Sequence, residues 1–215
     1  MKSDIDTQKA DPALLLIDLQ NDFVEGGALP VRGGLDVVDV ANRLMPEFRH
    51  IIATQDWHPK DHQSFASEHL ELAIGDQFSL DGLPQTVWPD HCVEHTDGAA
   101  FIDGLNRSKI DQVFRKGNDK RIDSYSGFFD NGYRHSTGLS EYLRQKGTEH
   151  LFVLGLATDY CVRATVMDAI AEGFGVTLVV DGCRGVDLQV GDVERSIEEM
   201  SQAGAAMAFS HQVLK

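Results

Sequence analysis

Short apolar runs separated by amphipathic stretches set the rhythm of this chain. Runs of strand length, rich in Val, Ile, Leu and Ala, occur at Ala13–Ile17, Ile51–Thr54, Gln112–Phe114, Leu151–Leu154, Val176–Val180 and Ala206–Phe209. Between several of them the apolar period becomes helical. Asp36 reads as an N-cap ahead of Val37, Val40, Ala41 and Leu44, with Pro46 ending that helix. Ser136 or Thr137 opens a helix through Tyr142, Leu143 and Lys146, which Gly147 closes. Val162, Val166, Ala169 and Ile170 recur at helical spacing up to Gly173, and a last helix runs through Val193, Ile197 and Met200 to Gly204. Apolar strands alternating with helices predict an α/β fold: an open, mostly parallel six-stranded sheet with helices on both faces.

The stretch from about Trp57 to Lys109 breaks this rhythm. It is rich in His, Asp, Gly and Pro and keeps no period, and so long an irregular insertion in a compact domain is usually functional. The expected organisation is one domain over residues 13–215 that carries this insertion, behind a polar, flexible N-terminal tail over residues 1–12. The length of 215 residues suits that. A net charge of -15 opposes nucleic-acid or anionic-membrane binding, since phosphate contact needs a basic patch, so the expected partner is a small molecule. Three cysteines without a repeated spacing argue against a disulfide framework and for a reducing cytoplasm. The oligomeric state stays open, a homo-oligomer included.

In an open parallel sheet, ligands bind outside the carboxyl ends of the strands. Those ends carry Asp18 after the first strand, Asp56 after the second, Lys116 after the third and Cys161 after the fourth. Singly, each has an ordinary alternative: a turn cap, a surface lysine, a buried structural thiol. Jointly they describe a nucleophile with its supports. A thiol at a helix N-terminus is expected to ionise more readily, Asp18 can take its proton, and Lys116 can hold the anions in place. Asp56 and His58, two residues apart, together with the distant His91, can also form a three-ligand site for a divalent cation. Oxygen and imidazole ligands suit zinc, iron or manganese alike. His62 and Ser64 belong to the same constellation without an assigned role.

These residues sit in longer motifs: Leu16-Ile17-Asp18-Leu19-Gln20-Asn21-Asp22-Phe23, Gln55-Asp56-Trp57-His58-Pro59, Trp88-Pro89-Asp90-His91-Cys92, Phe114-Arg115-Lys116-Gly117 and Gly155-Leu156-Ala157-Thr158-Asp159-Tyr160-Cys161-Val162. Together they resemble the nicotinamidase branch of the isochorismatase-like cysteine hydrolase superfamily, from about Ala13 to Phe209. The resemblance implies a catalytic triad of Asp18, Lys116 and Cys161. It implies a metal on Asp56, His58 and His91, zinc first and iron or manganese otherwise, with Ser64 at a variable further position, direct or through water. It also implies a cis peptide before Ala157, an oxyanion hole from the N–H groups of Ala157 and Cys161, and a pyridine ring held between Phe23 and Trp88. The implied activity is hydrolysis of nicotinamide to nicotinate and ammonia in NAD salvage, with pyrazinamide as a further substrate. Rival readings are a related amidohydrolase of carbamoyl or ureido substrates, a hydrolase whose metal-bound water attacks, a ligand-binding module, and a flavodoxin-like nucleotide binder. No loop here suits the phosphate of the last.

Overall fold

The structure, a computed structural model, describes residues 11–214, so most of the expected N-terminal tail lies outside the described residues. In chain order the strands are β1 (Ala13–Ile17), β2 (His50–Asp56), β3 (Gln77–Leu80), β4 (Leu83–Thr86), β5 (Gln112–Lys116), β6 (His150–Leu156), β7 (Gly175–Arg184) and β8 (Ala206–Ala208). The helices are α1 (Asp36–Leu44), α2 (Leu139–Gln145), α3 (Arg163–Ala171), α4 (Asp192–Ala203) and α5 (Ser210–Val213). Six strands form a parallel sheet in the order β5-β2-β1-β6-β7-β8, and β3 and β4 pair as a separate hairpin.

The central strand explains the architecture. Every residue of β1 is buried, because strands flank it on both sides and helices cover both faces. Truncating any of Leu14, Leu15 or Leu16 to Ala would cost roughly 2–5 kcal/mol on that account. Helix α1 buries Val37, Val40, Ala41 and Leu44 against β6 and β7 and touches α5, while α3 packs with α4 and against β7. Helix α2 is tied to the sheet through Tyr142 on Phe114, and to the end of α3 through Ser140 Oγ on Glu172.

Several boundaries differ from the apolar pattern, each for a local reason. Strands β2 and β5 run on to Asp56 and Lys116, because Gln55 pairs with Arg115 and Asp56 with Lys116 in the same ladder. Strand β7 extends to Arg184 across a register shift opposite Val153 and Gly155. Asp36 is the first residue of α1 and not its N-cap: Val37 and Val38 already donate to Gly34 and Leu35, so the turn begins earlier. Helix α2 starts at Leu139 behind Gly138, with the Thr137 hydroxyl accepting from Leu139 N–H. Cys161 does not open a regular helix. It lies in a π-helical turn, Thr158–Val162, that feeds α3. Inside the insertion, Asp81-Gly82 makes the β3–β4 turn with both residues at positive φ, a pair typical of tight hairpins.

Two features shape the carboxyl end of the sheet. The strand order reverses between β1 and β6, so Asp18 and the Cys161 turn leave neighbouring strands at the crevice. Gly155, paired with Ile17, has φ of +139°, and a Cβ there would collide with the Ile17 backbone. Gly155→Ala is therefore expected to lower unfolding free energy by at least about 3 kcal/mol, through overpacking added to backbone strain. Gly104→Ala, at φ of +90° with open space around it, should cost only about 1–2 kcal/mol. Urea unfolding of the two variants checks this, and equal losses would contradict it.

Candidate active site

The four strand-end residues converge on one buried ammonium. Lys116 Nζ donates to Asp56 Oδ1 at 2.5 Å, to the Ser124 carbonyl at 2.9 Å and to Cys161 Sγ at 3.3 Å. Asp18 Oδ2 lies 2.9 Å from the same nitrogen. A lysine ammonium has three protons, and the three other partners accept them. Asp18 Oδ2 is an ion-pair partner of the ammonium and is also within reach of the Cys161 thiol. Its other oxygen accepts the Thr54 hydroxyl at 2.6 Å, which fixes the carboxylate plane. Carboxylate oxygens of Asp18 and Asp56 and the Cys161 sulfur all lie within 4.8 Å of one another.

Burial and charge then separate the groups. Burial pushes the Asp18 carboxyl up despite the pull of Lys116. Burial works the same way on Asp56, but Lys116 and then His58 hold it well below the usual carboxylate range. Burial disfavours the Lys116 charge, yet Asp18 and Asp56 keep it well above the ordinary lysine value. For Cys161, burial raises the thiol well above its ordinary value, with Lys116 opposing and Asp18 and Asp56 adding to the rise. That direction is opposite to the one expected from a helix terminus, and Cys161 sits here in a π-helical turn beside two carboxylates. Both directions favour a neutral thiol beside a carboxylate of raised proton affinity, which suits proton transfer concerted with attack.

The second constellation shares Asp56. Ligand atoms of Asp56, His58 and His91 lie within 4.8 Å of one another, and all three residues are buried. His58 Nε2 is 3.6 Å and His91 Nε2 3.8 Å from Asp56 Oδ2. On the far side, His58 Nδ1 faces the Gly117 carbonyl at 2.8 Å and His91 Nδ1 faces the Pro89 carbonyl at 2.7 Å. A carbonyl only accepts, so each Nδ1 carries the proton and each Nε2 presents a lone pair toward Asp56. Two aimed imidazole lone pairs and a carboxylate fit a divalent cation. In the cation's absence the Asp56 carboxylate, working against burial, raises His58.

Ser64 is buried, and its hydroxyl meets His62 Nδ1 at 2.7 Å. His62 forms a further close group with His58 and Asp123, and burial pushes it down to about 4, so it is neutral. Its Nε2 has no partner among the described residues. Phe23 and Trp88 both line a slot that reaches Cys161, with Leu29, Asp123, Tyr125, Ala157, Tyr160 and Val186. The Leu156–Ala157 peptide is cis.

Pattern reading gave no role to several residues that shape this site. Gln20 brackets Asp56, donating to its carbonyl at 2.8 Å and accepting its N–H at 2.8 Å. The available signal was its place two residues after Asp18. Thr54 shares a strand face with Asp56, which alternation alone could have pointed out. Tyr125 accepts the Trp88 indole N–H at 3.1 Å and so orients a wall of the slot. That contact joins distant segments and leaves no local trace.

The Isochorismatase domain family matches residues 12–212. The nicotinamidase of Escherichia coli (strain K12) is 52% identical over 200 residues, 91% of this chain and 93% of that protein. The solved nicotinamidase/pyrazinamidase of Acinetobacter baumanii superposes with a TM-score of 0.92 at 37% identity, over 96% of this chain and 100% of that one. The pyrazinamidase of Pyrococcus horikoshii, solved in complex with zinc, gives a TM-score of 0.75 at 34% identity, over 93% and 99% of the two chains.

Because the thiol rests neutral, alkylation of Cys161 by iodoacetamide in metal-free protein should keep accelerating between about pH 7 and about pH 9. Peptide mapping of the alkylated residue against pH reads this out. A plateau already reached at neutral pH would show a preformed thiolate instead.

Proposed function

This chain belongs to the isochorismatase family, and we propose that it is a metal-dependent nicotinamidase. It hydrolyses nicotinamide to nicotinate and ammonia through a thioester on Cys161, as a step of NAD salvage, within one domain over residues 13–215. The observation that carries this reading is the meeting of Asp18, Lys116 and Cys161 beside the Asp56, His58 and His91 cluster, around one buried charge. The 52% identity to a nicotinamidase over 91% of the chain supports the substrate.

Each residue has a role in this reaction. Nicotinamide enters the slot with its ring between Phe23 and Trp88 and its carboxamide at Cys161. Asp18 Oδ2 takes the thiol proton as sulfur attacks the carboxamide carbon. Lys116 stays charged throughout and steadies the thiolate and both carboxylates. N–H groups of Ala157 and Cys161 receive the developing oxyanion, a donor of that kind contributing about 3–4 kcal/mol. Asp18 then returns its proton to the amide nitrogen, the C–N bond breaks, and ammonia leaves the thioester. Water adds to the acyl carbon, losing a proton to Asp18, and the sulfur departs and is reprotonated. Asp56, His58 and His91 would hold the cation, and we assign zinc, the metal named for the Pyrococcus horikoshii relative. When bound, it supplies an electrophilic contact for the pyridine nitrogen, which orients the ring. Ser64, with its hydroxyl on His62, is assigned a further position beside the cation, direct or through water. Pyrazinamide, with a ring of the same size and an acceptor nitrogen, is the expected second substrate.

The test is ammonia release from nicotinamide by purified protein, before and after chelation and zinc add-back. Activity should fall on chelation and return with zinc, and Cys161→Ala should lose at least about 1,000-fold in kcat with zinc content retained. His91→Ala should instead lose the zinc, read by elemental analysis. Near wild-type turnover by Cys161→Ala would defeat the thioester route. A folded, zinc-loaded wild type inactive on nicotinamide but active on a carbamoyl or ureido amide would move the assignment to the related amidohydrolases.

A further inference from the structure

The turn that bears Cys161 is fastened to another wall of its own slot by a side chain with no part in the chemistry above. Asp159 lies two residues before Cys161 and is buried. Its Oδ1 accepts the Val186 N–H at 3.0 Å, and its Oδ2 accepts the Asp187 N–H at 2.8 Å. Ala157, Tyr160 and Cys161 line the slot from the turn, and Val186 lines it from the loop after β7. The separation of these two segments is therefore bridged by both oxygens of one carboxylate. Charge-assisted bonds to consecutive N–H groups fix its orientation as well as its distance.

Val186 itself is half-buried and packs against the core, whereas the loop beyond it is exposed. Leu188 and Val190 at its tip are 46% and 94% exposed, so apolar burial anchors it little. Its far end is braced by hydrogen bonds onto the start of α4. Asp187 Oδ1 accepts the Gly191 N–H at 3.0 Å, and Asp192 Oδ2 accepts the Gln189 N–H at 2.8 Å. At the near end the approach is tight enough to require glycine: a Cβ on Gly185 would collide with Val193 and lie 2.8 Å from Asp159 Oδ1.

We propose that Asp159 is a positioning residue that sets the gap between the Cys161 turn and the Val186 wall, and so the size of the flat ring the slot admits. The inference rests on the nicotinamidase reading for its substrate, though not for its geometry. Losing one or both bonds lets the wall retreat. Ring binding then suffers more than the chemical step, and bulkier rings are rejected less.

Asp159→Asn keeps one acceptor oxygen, and Asp159→Ala removes both. With nicotinamide, Asp159→Asn should raise KM about 5-fold while kcat stays within about 2-fold, and Asp159→Ala should go further. The preference in kcat/KM for nicotinamide over 5-methylnicotinamide should fall in both variants. Val186→Ala should lower the same preference, and its effect should largely vanish in the Asp159→Asn background, because both act on one wall. Unchanged KM and preference in folded Asp159→Asn would overturn the proposal. So would a loss of activity that merely tracks the folded fraction while both stay constant. If wild-type protein releases no ammonia from nicotinamide, the proposed function fails, and amide exchange decides the clamp. Faster exchange at Val186 and Asp187 in Asp159→Asn supports it, and unchanged protection there overturns it.

Discussion

One buried ammonium organises the site. Lys116 is 2% exposed, and an unpaired charge at that depth would cost several kcal/mol after relaxation. Two carboxylates, a carbonyl and a thiol surround it, each on a different segment of the chain. Removing it would leave Asp18 and Asp56 facing each other with nothing between their charges. The parallel register that pairs Asp56 with Lys116, and the neighbouring placement of β1, are what let one cation serve both carboxylates. In the proposed reaction, catalysis and local stability draw on the same contacts.

Asp56 joins the two halves of the site. Its Oδ1 faces Lys116 and its Oδ2 faces His58 and His91. A cation on the histidines and the ammonium of Lys116 would therefore share one carboxylate, and the negative charge reaching Cys161 depends on both. Asp18 has a different environment. Its Thr54 bond fixes its orientation, while burial raises its proton affinity and leaves one oxygen free to accept. Two aspartates a few ångströms apart are so divided, one held as an anion and the other with raised proton affinity.

The irregular insertion is ordered by a few polar side chains that reach into it from the first strand's exit. Gln20 donates to the Ala99 carbonyl as well as to Asp56, and Asp22 accepts the Cys92 N–H at 2.7 Å. His91 therefore arrives at the site beside a backbone position pinned by Asp22. No helix among the described residues is long and apolar enough to cross a membrane.

The apolar period by itself determined the sheet, its strand count and the exits where the polar residues cluster. A parallel strand buried on both faces must be apolar along its length, so β1 and β6 announce themselves. Motifs such as Asp56-Trp57-His58 also carried residue types able to hold a metal, because ligand chemistry restricts residue choice at short spacing. Tertiary structure decided what depends on distant segments meeting. Polar strand ends such as Gln55-Asp56 and Arg115-Lys116 read as loop until the ladder pairs them. Burial and the charges of Lys116, Asp18 and Asp56, which lie 45, 143 and 105 positions away in this numbering, set the surroundings of the Cys161 thiol, and its place at a helix start shows none of them. The roles of Thr54, Tyr125 and Asp159 belong to the same class. Each acts through a hydrogen bond to a remote partner, and a local pattern holds no record of such a bond.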